Sequence, residues 1–341
     1  MKRLFMLAAA FVCFVFLLPV ILLSGEAAPE APPPGVIEVG GASQPDGSPS
    51  PQAVFPGDIG PEAGENKTQN SADSLQIRVK TAEGVSEMPL SDYLPRAVAG
   101  EMPSSFPFEA LKAQATAART LVMYNRNSAS PRHTEADICT SPSCCMAFSE
   151  AEVPENIKNA VLATDGVLIL YENAPILAVF HAASSGRTES AADVWGGDVP
   201  YLKAVESPGE DAVPSAAASK TFTETDLRAA LLRLDETLDL SGGAQGWFGK
   251  TERSQSGGVV SLEVGRQKFS GERVRAALSL NSANFSFDFA EDNFTVTVST
   301  LGHGHGVGMS QYGARALALE GKNYADILRH YYYNVQVGIA N

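Results

Sequence analysis

The chain has 341 residues and a net charge of −14 at neutral pH, which counts against binding of nucleic acid or anionic lipid, because both select a basic face. A neutral or mixed-charge polymer is a more compatible partner. Four cysteines are too few for a disulfide scaffold to organise the fold, and one of them, Cys13, lies in an apolar N-terminal run.

That N-terminal run predicts a membrane anchor. Lys2 and Arg3 precede an unbroken apolar stretch from Leu4 to Leu23, which as a helix is about 30 Å long and can cross a bilayer once. We expect residues 1–24 to remain in the cell membrane as a single pass, with the rest of the chain outside the cytoplasm. The alternative is a secretory signal peptide that is cleaved near Ala28.

Two further regions follow the anchor. Residues 25–73 are rich in Pro, Ala, Gly and acids, lack helical or strand periodicity, and predict a disordered tether. Residues 74–341 have the length of one large domain or two closely packed subdomains. Ile77 and Val79 alternate with polar residues as a strand does, and the mixture of helices with antiparallel strands further along predicts an α+β fold.

Glu101 is the best candidate for a catalytic acid. We expect it on a short loop between a helix that ends near Gly100 and a longer helix from about Phe106 to Met123. Apolar neighbours and a proline can partly desolvate this carboxyl and hold it protonated near neutral pH. The alternative is a surface acid at the end of a helix.

Two cations follow on the longer helix. Lys112 and Arg119 are seven residues apart and share a helix face. On the face nearest Glu101 they would hold a polar substrate or support a developing negative charge. The alternative is that both are solvated or paired with surface acids.

A short, turn-rich excursion after this helix holds four candidate metal ligands, namely His133, Cys139, Cys144 and Cys145. Imidazole and thiolate are the ligands that structural zinc sites use, and four of them complete a tetrahedral shell without an open position. The sequence therefore favours a structural zinc ion over its alternative, one disulfide with a free thiol.

A predicted hairpin, residues 167–171 and 176–181 joined by a turn at 172–175, leads into a loop that contains Ser184, Arg187 and Trp195. This composition suits sugar binding, because an aromatic face packs on pyranose C–H groups while hydroxyls and guanidinium satisfy the oxygens. The alternative is an ordinary turn with a buried Trp.

Later segments complete the pattern. Thr223 can cap a helix that runs to about Leu238, and residues 259–264 and 294–298 are predicted strands. A glycine-rich segment at 302–313 then carries His303, His305 and Gln311 and leads into a helix near 314–319. His303 and His305 have no clear third metal ligand nearby, so a substrate-lining role is favoured over metal binding.

These segments together resemble the stage II sporulation protein D family, which includes the amidase enhancer LytB. The resemblance covers nearly all of residues 75–341. It is carried by Tyr93–Leu94, Glu101–Pro103, Glu109–Ala115, Ser184–Ser190, Val194–Gly197, Pro200–Leu202, Gly304–Gly313 and Ile327–Tyr332.

The resemblance implies a membrane-anchored lytic transglycosylase that cuts peptidoglycan glycan strands during engulfment of the forespore. In that family the Glu of the Glu-Met-Pro motif is the catalytic acid, which corresponds to Glu101. A zinc-binding His and Cys loop occurs in some members and corresponds to the four ligands above. The implied partners are glycan strands, a cell-wall amidase and other engulfment proteins.

Cleavage by a single carboxylate agrees better with transglycosylation than with hydrolysis, since a hydrolase normally uses two carboxylates. Glu109 and Glu189 remain candidates for a second one. The rival function is a noncatalytic wall-binding partner that stimulates an amidase. A zinc amidase is disfavoured, because the metal cluster is rich in thiolates and coordinatively full.

Overall fold

The computed structural model describes residues 71–129, 132–210, 213, 216–290 and 295–339, all of which belong to one compact unit, Ala63–Asn341. The predicted anchor and residues 25–70 of the predicted tether lie outside these residues, so both stay predictions. Within the described part of the chain, no helix combines the length and the apolar character that a membrane crossing requires.

The described chain combines helices with short, mostly antiparallel strands, which confirms the α+β prediction. The helices are α1 Leu90–Glu101, α2 Phe108–Asn127, α3 Glu155–Leu162, α4 Ala191–Trp195, α5 Glu224–Leu231, α6 Gly271–Leu278, α7 Gln311–Leu319 and α8 Tyr324–Tyr331. The strands are β1 Gln76–Lys80, β2 Val85–Pro89, β3 Ile138–Cys139, β4 Val167–Tyr171, β5 Ala174–Pro175, β6 Phe180–His181, β7 Ala217–Thr223, β8 Phe248–Arg253, β9 Val259–Val264, β10 Gln267–Ser270, β11 Phe285–Phe289, β12 Thr295–Leu301, β13 Met309–Ser310 and β14 Gln336–Ile339.

The strands form several small, mostly antiparallel sheets. Their orders are β2-β1-β3, β10-β9-β8, β11-β12-β7, β13-β6 and β14-β4-β5. Two pairings are parallel: β1 with β3, and β6 with β13. The pairing of β6 with β13 brings the chain after residue 180 beside the glycine-rich segment at 302–313, which contains Gln311.

Two hydrophobic cores lie within this unit. The first surrounds α2, whose alanines from Ala110 to Ala118 are fully buried, and α1, α3, α7 and α8 pack around it. Small side chains allow close packing on all sides of one helix, which explains its central position. We call this part the main lobe, residues 71–210 and 302–339.

The second core belongs to the segment between these two parts of the main lobe. Strands β7 to β12 with α5 and α6 bury their own apolar side chains, including Trp247 and Leu262. We call this segment, residues 217–301, the inserted lobe. One large unit with two cores agrees with the expectation of closely packed subdomains.

Several helix and strand boundaries differ from those that the sequence predicted. The hairpin turn is present, with Glu172 and Asn173 at positive φ, but the strand that pairs with β4 is β5, at 174–175 within the predicted turn. Of the predicted second strand, 176–181, only residues 180–181 are a strand, β6, which pairs with β13. The helix after Thr223 does begin with that residue as its N-cap, yet it ends at Leu231. Glu101 is the last residue of α1 and therefore not in a loop.

The folded region begins earlier than residue 74. A short 3-10 helix spans Ala72–Ser74, and Asp73 is buried. Backbone and side-chain donors of residues 71–73 bind the carboxylate of Asp165. Residues 71–73, which the sequence pattern assigns to the tether, are therefore packed on the main lobe.

Candidate functional site

The Glu101 carboxyl is held by two neutral donors from distant parts of the chain. The backbone N–H of Ala147 donates to Oε1 at 2.6 Å, and the Gln311 side chain donates from Nε2 to Oε2 at 3.0 Å. Ala147 follows the cysteine-containing loop, and Gln311 is the first residue of α7. Three segments therefore meet at this one carboxyl.

Burial raises the pKa of Glu101 above its usual value. The hydrogen bonds from Ala147 and Gln311 oppose this rise, because both donors favour the charged form. Burial is the larger effect, so the net shift is upward. A carboxyl with a raised pKa retains its proton further towards neutral pH, which is the property that a general acid needs.

Local structure explains how Gln311 reaches this carboxyl. Strand β13 pairs with β6, and the N–H of Tyr312 donates to the carbonyl of Ala182. Ser310 caps α7 by accepting from the N–H of Gly313. The Tyr312 ring packs edge-on against Phe106, with 5.2 Å between ring centroids, so the chain after Glu101 and the start of α7 are held together.

A second group of predicted residues meets at the boundary between the two lobes. Ser184, Arg187 and His305 line a cavity of about 30 Å³, and residues of the inserted lobe such as Gly258 and Asn284 close it. The cavity is small, and residues of both lobes line it.

Two of these side chains are also bound within the protein. Ser184 Oγ donates to Glu210 Oε1 at 2.8 Å and is buried. Arg187 Nη2 donates to the carbonyl of Ala204 at 3.1 Å. Contacts of this kind stabilise the loop, and they leave less of each side chain free for a ligand.

The histidines of this region are neutral. Burial lowers the pKa of His305 to about 4, and burial likewise lowers the pKa of His303. His305 Nδ1 accepts from the N–H of Val307, and His181 Nδ1 donates to the carbonyl of the same residue. These histidines therefore carry no positive charge near neutral pH.

The Trp195 ring lies beside His305, with 5.6 Å between ring centroids. It is 45% exposed, so the alternative of a buried Trp does not hold. An exposed indole on the rim of a polar loop is the aromatic surface that the sugar-binding interpretation requires.

Lys112 and Arg119 do not join either group. Lys112 forms an ion pair of 2.9 Å with Glu109 on its own helix and lies 4.5 Å from the centroid of the Tyr324 ring. Arg119 is 1% exposed, and its guanidinium binds both carboxylate oxygens of Asp73 at 2.7 and 2.6 Å. The prediction that Arg119 lines a groove is wrong, because its side chain has no accessible surface.

The four predicted metal ligands do converge. One ligand atom from each of His133, Cys139, Cys144 and Cys145 lies within 4.8 Å of the others. His133 Nε2 lies 3.4 Å from Cys144 Sγ and 3.5 Å from Cys145 Sγ, and the two sulfurs are 3.9 Å apart.

A tetrahedral zinc shell with the usual bond lengths requires separations of about 3.6 Å between nitrogen and sulfur and about 3.8 Å between two sulfurs. The observed separations fit, and Cys139, Cys144 and Cys145 are free thiols. The cluster can therefore bind a metal such as zinc.

One partner of Glu101 had no signal in the sequence. The donor from Ala147 is a backbone N–H, which every residue except proline carries, so residue type does not reveal it. The sequence shows that Ala147 lies two residues after Cys145, but this spacing does not indicate which face of α1 the loop contacts.

The comparisons with known proteins agree with this architecture. A family model described as stage II sporulation protein matches residues 78–171. Stage II sporulation protein D of Bacillus subtilis (strain 168) is 35% identical over 281 residues, which are 79% of this chain and 80% of that protein. Its counterpart in Bacillus amyloliquefaciens is 35% identical over 291 residues, 81% and 82% of the two chains.

An amidase enhancer of Bacillus subtilis (strain 168) is more distant, at 27% identity over 69% of this chain and 39% of that protein. With relatives of 35% identity aligned over about four fifths of both chains, this chain belongs to the SpoIID family of stage II sporulation proteins.

Proposed function

We propose that this sporulation protein is a lytic transglycosylase that cleaves the glycan strands of peptidoglycan, with Glu101 as the general acid and base. The observation that carries the proposal is the partly buried Glu101 carboxyl, which has a raised pKa and two neutral hydrogen-bond donors. Neutral donors orient the carboxyl without the strong stabilisation of its charge that a cation would provide.

The proposed reaction needs one carboxyl in two roles. Protonated Glu101 donates its proton to the leaving glycosidic oxygen as the bond from that oxygen to the muramic acid C1 breaks, through an oxocarbenium-like transition state. The resulting carboxylate then takes the proton of the C6 hydroxyl while that oxygen bonds to C1. The products are a 1,6-anhydro end and a regenerated acid.

The two other candidate carboxylates have structural partners. Glu109 pairs with Lys112 and accepts from the N–H of Tyr324 at 2.7 Å. Glu189 accepts from the N–H of Gly258 at 3.1 Å and lines the cavity between the lobes. The ion pair with Lys112 counts against Glu109 as a second acid. Burial also raises the pKa of Glu189, so Glu189 remains the candidate for a second carboxylate.

The test is digestion of purified, peptide-free glycan strands by the chain without its first 24 residues, with mass spectrometry of the products in water labelled with heavy oxygen. We expect anhydro ends without incorporated label, and loss of cleavage in Glu101→Gln. Reducing ends that carry the label from the outset would show hydrolysis, and full cleavage by Glu101→Gln would remove the assignment of the acid.

The similarity to an amidase enhancer supports a second candidate, a noncatalytic protein that binds the wall and stimulates an amidase. The same Glu101→Gln variant separates the two functions. If the protein is noncatalytic, the wild type does not cut glycan strands. The Glu101→Gln variant then stimulates the amidase as strongly as the wild type does.

Zinc and the membrane complete the proposal. A zinc ion held by His133, Cys139, Cys144 and Cys145 would hold together the loop that precedes Ala147. It would supply no catalytic step, because four protein ligands leave no open position.

Residues 1–24 would keep the folded region at the outer face of the cell membrane, where a wall amidase and other engulfment proteins are its expected partners.

A further inference from the structure

Helix α1 and the segment after the metal-ligand cluster lie against each other along several residues. Tyr93 donates from its hydroxyl to the carbonyl of Cys139 at 3.2 Å. Further along the helix, the N–H of Ser149 donates to the carbonyl of Arg96 at 3.0 Å, and the Arg96 guanidinium donates back to the Ser149 carbonyl at 3.2 Å. This contact runs towards the end of the helix, where Glu101 stands.

Gly100 lies at a close approach between the two segments. A Cβ atom at this position would lie 2.7 Å from the backbone nitrogen of Phe148 and 2.8 Å from the carbonyl carbon of Ala147. Neither atom belongs to a flexible side chain, so any substitution must move backbone. The φ of Gly100 is not positive, and glycine within a helix is less favourable than alanine. Its position is explained by the close approach.

We propose that Gly100 is a positioning residue for Glu101: the missing side chain lets residues 146–149 lie on the last turn of α1, so that the Ala147 N–H holds one oxygen of the carboxyl. The inference rests on the proposed function, because it assigns to Gly100 the orientation of the proposed acid. It also explains how a backbone donor without a sequence signal is fixed at 2.6 Å from Glu101 Oε1.

The arrangement connects the metal-ligand cluster to the candidate acid. Cys145 precedes Ala147 by two residues, so whatever fixes that cysteine also limits the movement of the N–H that binds Glu101. The Tyr93 ring, which packs on Phe148 with 5.4 Å between centroids, holds the other side of the segment.

The test uses Gly100→Ala in the chain without its first 24 residues. We expect kcat on purified glycan strands to fall by about 10- to 100-fold with KM within about twofold, because a displacement of about 1 Å at a reacting group has an effect of this size. Loss of the Ala147 donor also removes an interaction that favours the carboxylate. The pKa of Glu101 should rise, and the basic limb of the pH profile should move to higher pH.

The pKa is measured directly by NMR with carbon-13 in the glutamate carboxyl groups, where Glu101→Gln identifies the signal. This readout does not depend on cleavage, so the positioning role is tested even if wild-type protein cuts no glycan and the proposed function fails. The matched control is Gly246→Ala, because a Cβ at Gly246 meets no atom within 4 Å. It should change neither the Glu101 signal nor kcat.

A second variant addresses the case in which Gly100→Ala does not fold. Replacing Ala147 by lactic acid turns its amide into an ester, which keeps the side chain and removes only the N–H. A raised Glu101 pKa in this protein supports the proposal. An unchanged pKa and pH profile in a folded Gly100→Ala or ester protein would overturn it.

Discussion

Gln311 Nε2 lies 3.0 Å from Glu101 Oε2, although 210 residues separate the two along the chain. An amide is suited to a carboxyl that alternates between acid and base. Its NH₂ group donates to the carboxylate, and after a half-turn of the amide its carbonyl accepts from the protonated form. Gln311 can therefore stay bonded to Glu101 in both protonation states.

Replacing Gln311 by Met, which has a similar volume, should reduce kcat on glycan strands by about 10-fold or more, the usual effect of losing a hydrogen bond to a charged group. The lost donor favoured the carboxylate, so the pKa of Glu101 should rise. Activity that needs the protonated acid then extends to higher pH, and a pH–rate profile measures this shift.

The matched control is Gln267→Met in the inserted lobe, where the Gln267 amide bonds only weakly to Thr237 at 3.4 Å. This variant should retain both kcat and the pH profile. If Gln311→Met also retained them, the bond between Gln311 and Glu101 would have no role in the reaction.

The stability of the Glu101→Gln variant should depend on pH relative to wild type. The pKa of Glu101 is raised by burial above its ordinary value of 4.5. The stability that this group contributes is fully present below the ordinary pKa and is lost as pH rises through the raised pKa. Glutamine does not ionise, so the variant should gain stability relative to wild type as pH rises above the ordinary pKa of 4.5 and through the raised pKa of Glu101. Urea unfolding at several pH values measures this difference.

Glu83 provides a control of opposite sign. Its side chain is exposed, and hydrogen bonds from Thr81 and from its own backbone lower its pKa. The stability it contributes is present above its ordinary pKa and is lost as pH falls, so Glu83→Gln should lose stability relative to wild type as pH rises. A pH-independent difference for Glu101→Gln would contradict the raised pKa.

The sequence predicted those parts of the site that depend on side-chain type. It drew attention to Glu101 and the four metal ligands, because carboxyl, imidazole and thiol groups have characteristic chemistry. Gln311 was expected to line a substrate groove, and its hydrogen bond to Glu101 was not predicted. It did not place Glu101 at the end of α1, since that boundary depends on the backbone bond from Met102 N–H to the Val98 carbonyl. Propensity does not determine such a boundary to one residue.

Tertiary partners account for the other differences. Arg119 has the spacing of a groove-lining cation, but Asp73, which the sequence pattern assigns to the tether, lies opposite it in the fold. The length of residues 74–341 allowed for two closely packed subdomains, but the sequence did not indicate that the chain leaves the main lobe near residue 210 and returns near residue 302. Long-range pairing of this kind is not encoded in local periodicity.

Arg119→Met should destabilise the protein by about 3–5 kcal/mol, because it leaves the buried Asp73 carboxylate without its bidentate partner. Catalysis by the folded fraction should remain near the wild-type value. Urea unfolding and kcat measured on the same preparation check both parts.

The double variant Arg119→Met with Asp73→Asn should recover part of the lost stability, since the unpaired charge is removed. A stable Arg119→Met protein with strongly reduced glycan cleavage would restore the substrate role that the buried position contradicts.

Protein purified without added zinc should contain about one equivalent of metal bound by His133 and the three cysteines. Cys139→Ser should abolish binding and lower the melting temperature by roughly 10 °C, because structural metal binding contributes directly to folding. Elemental analysis and thermal unfolding provide the measurements.

Ser143→Ala is the control for that loop, since the Ser143 hydroxyl bonds only to Ser141 in the same turn. It should retain both metal and stability. Metal-free wild-type protein with unchanged stability in Cys139→Ser would remove the zinc hypothesis.

Trp195→Ala should raise KM for glycan strands by about 10-fold and leave kcat within about twofold, because the 45% exposed indole lies beside His305 and is not one of the hydrogen-bond partners of Glu101. Trp195→Phe retains an aromatic face and should recover most of the affinity.

Tyr333→Ala is the matched control, since Tyr333 is also an exposed aromatic residue, at 62%. Binding of each variant to insoluble glycan, measured by sedimentation in the Glu101→Gln background, separates affinity from cleavage. If Trp195→Ala and Tyr333→Ala both bound insoluble glycan with the wild-type affinity, the indole would not contact the polymer.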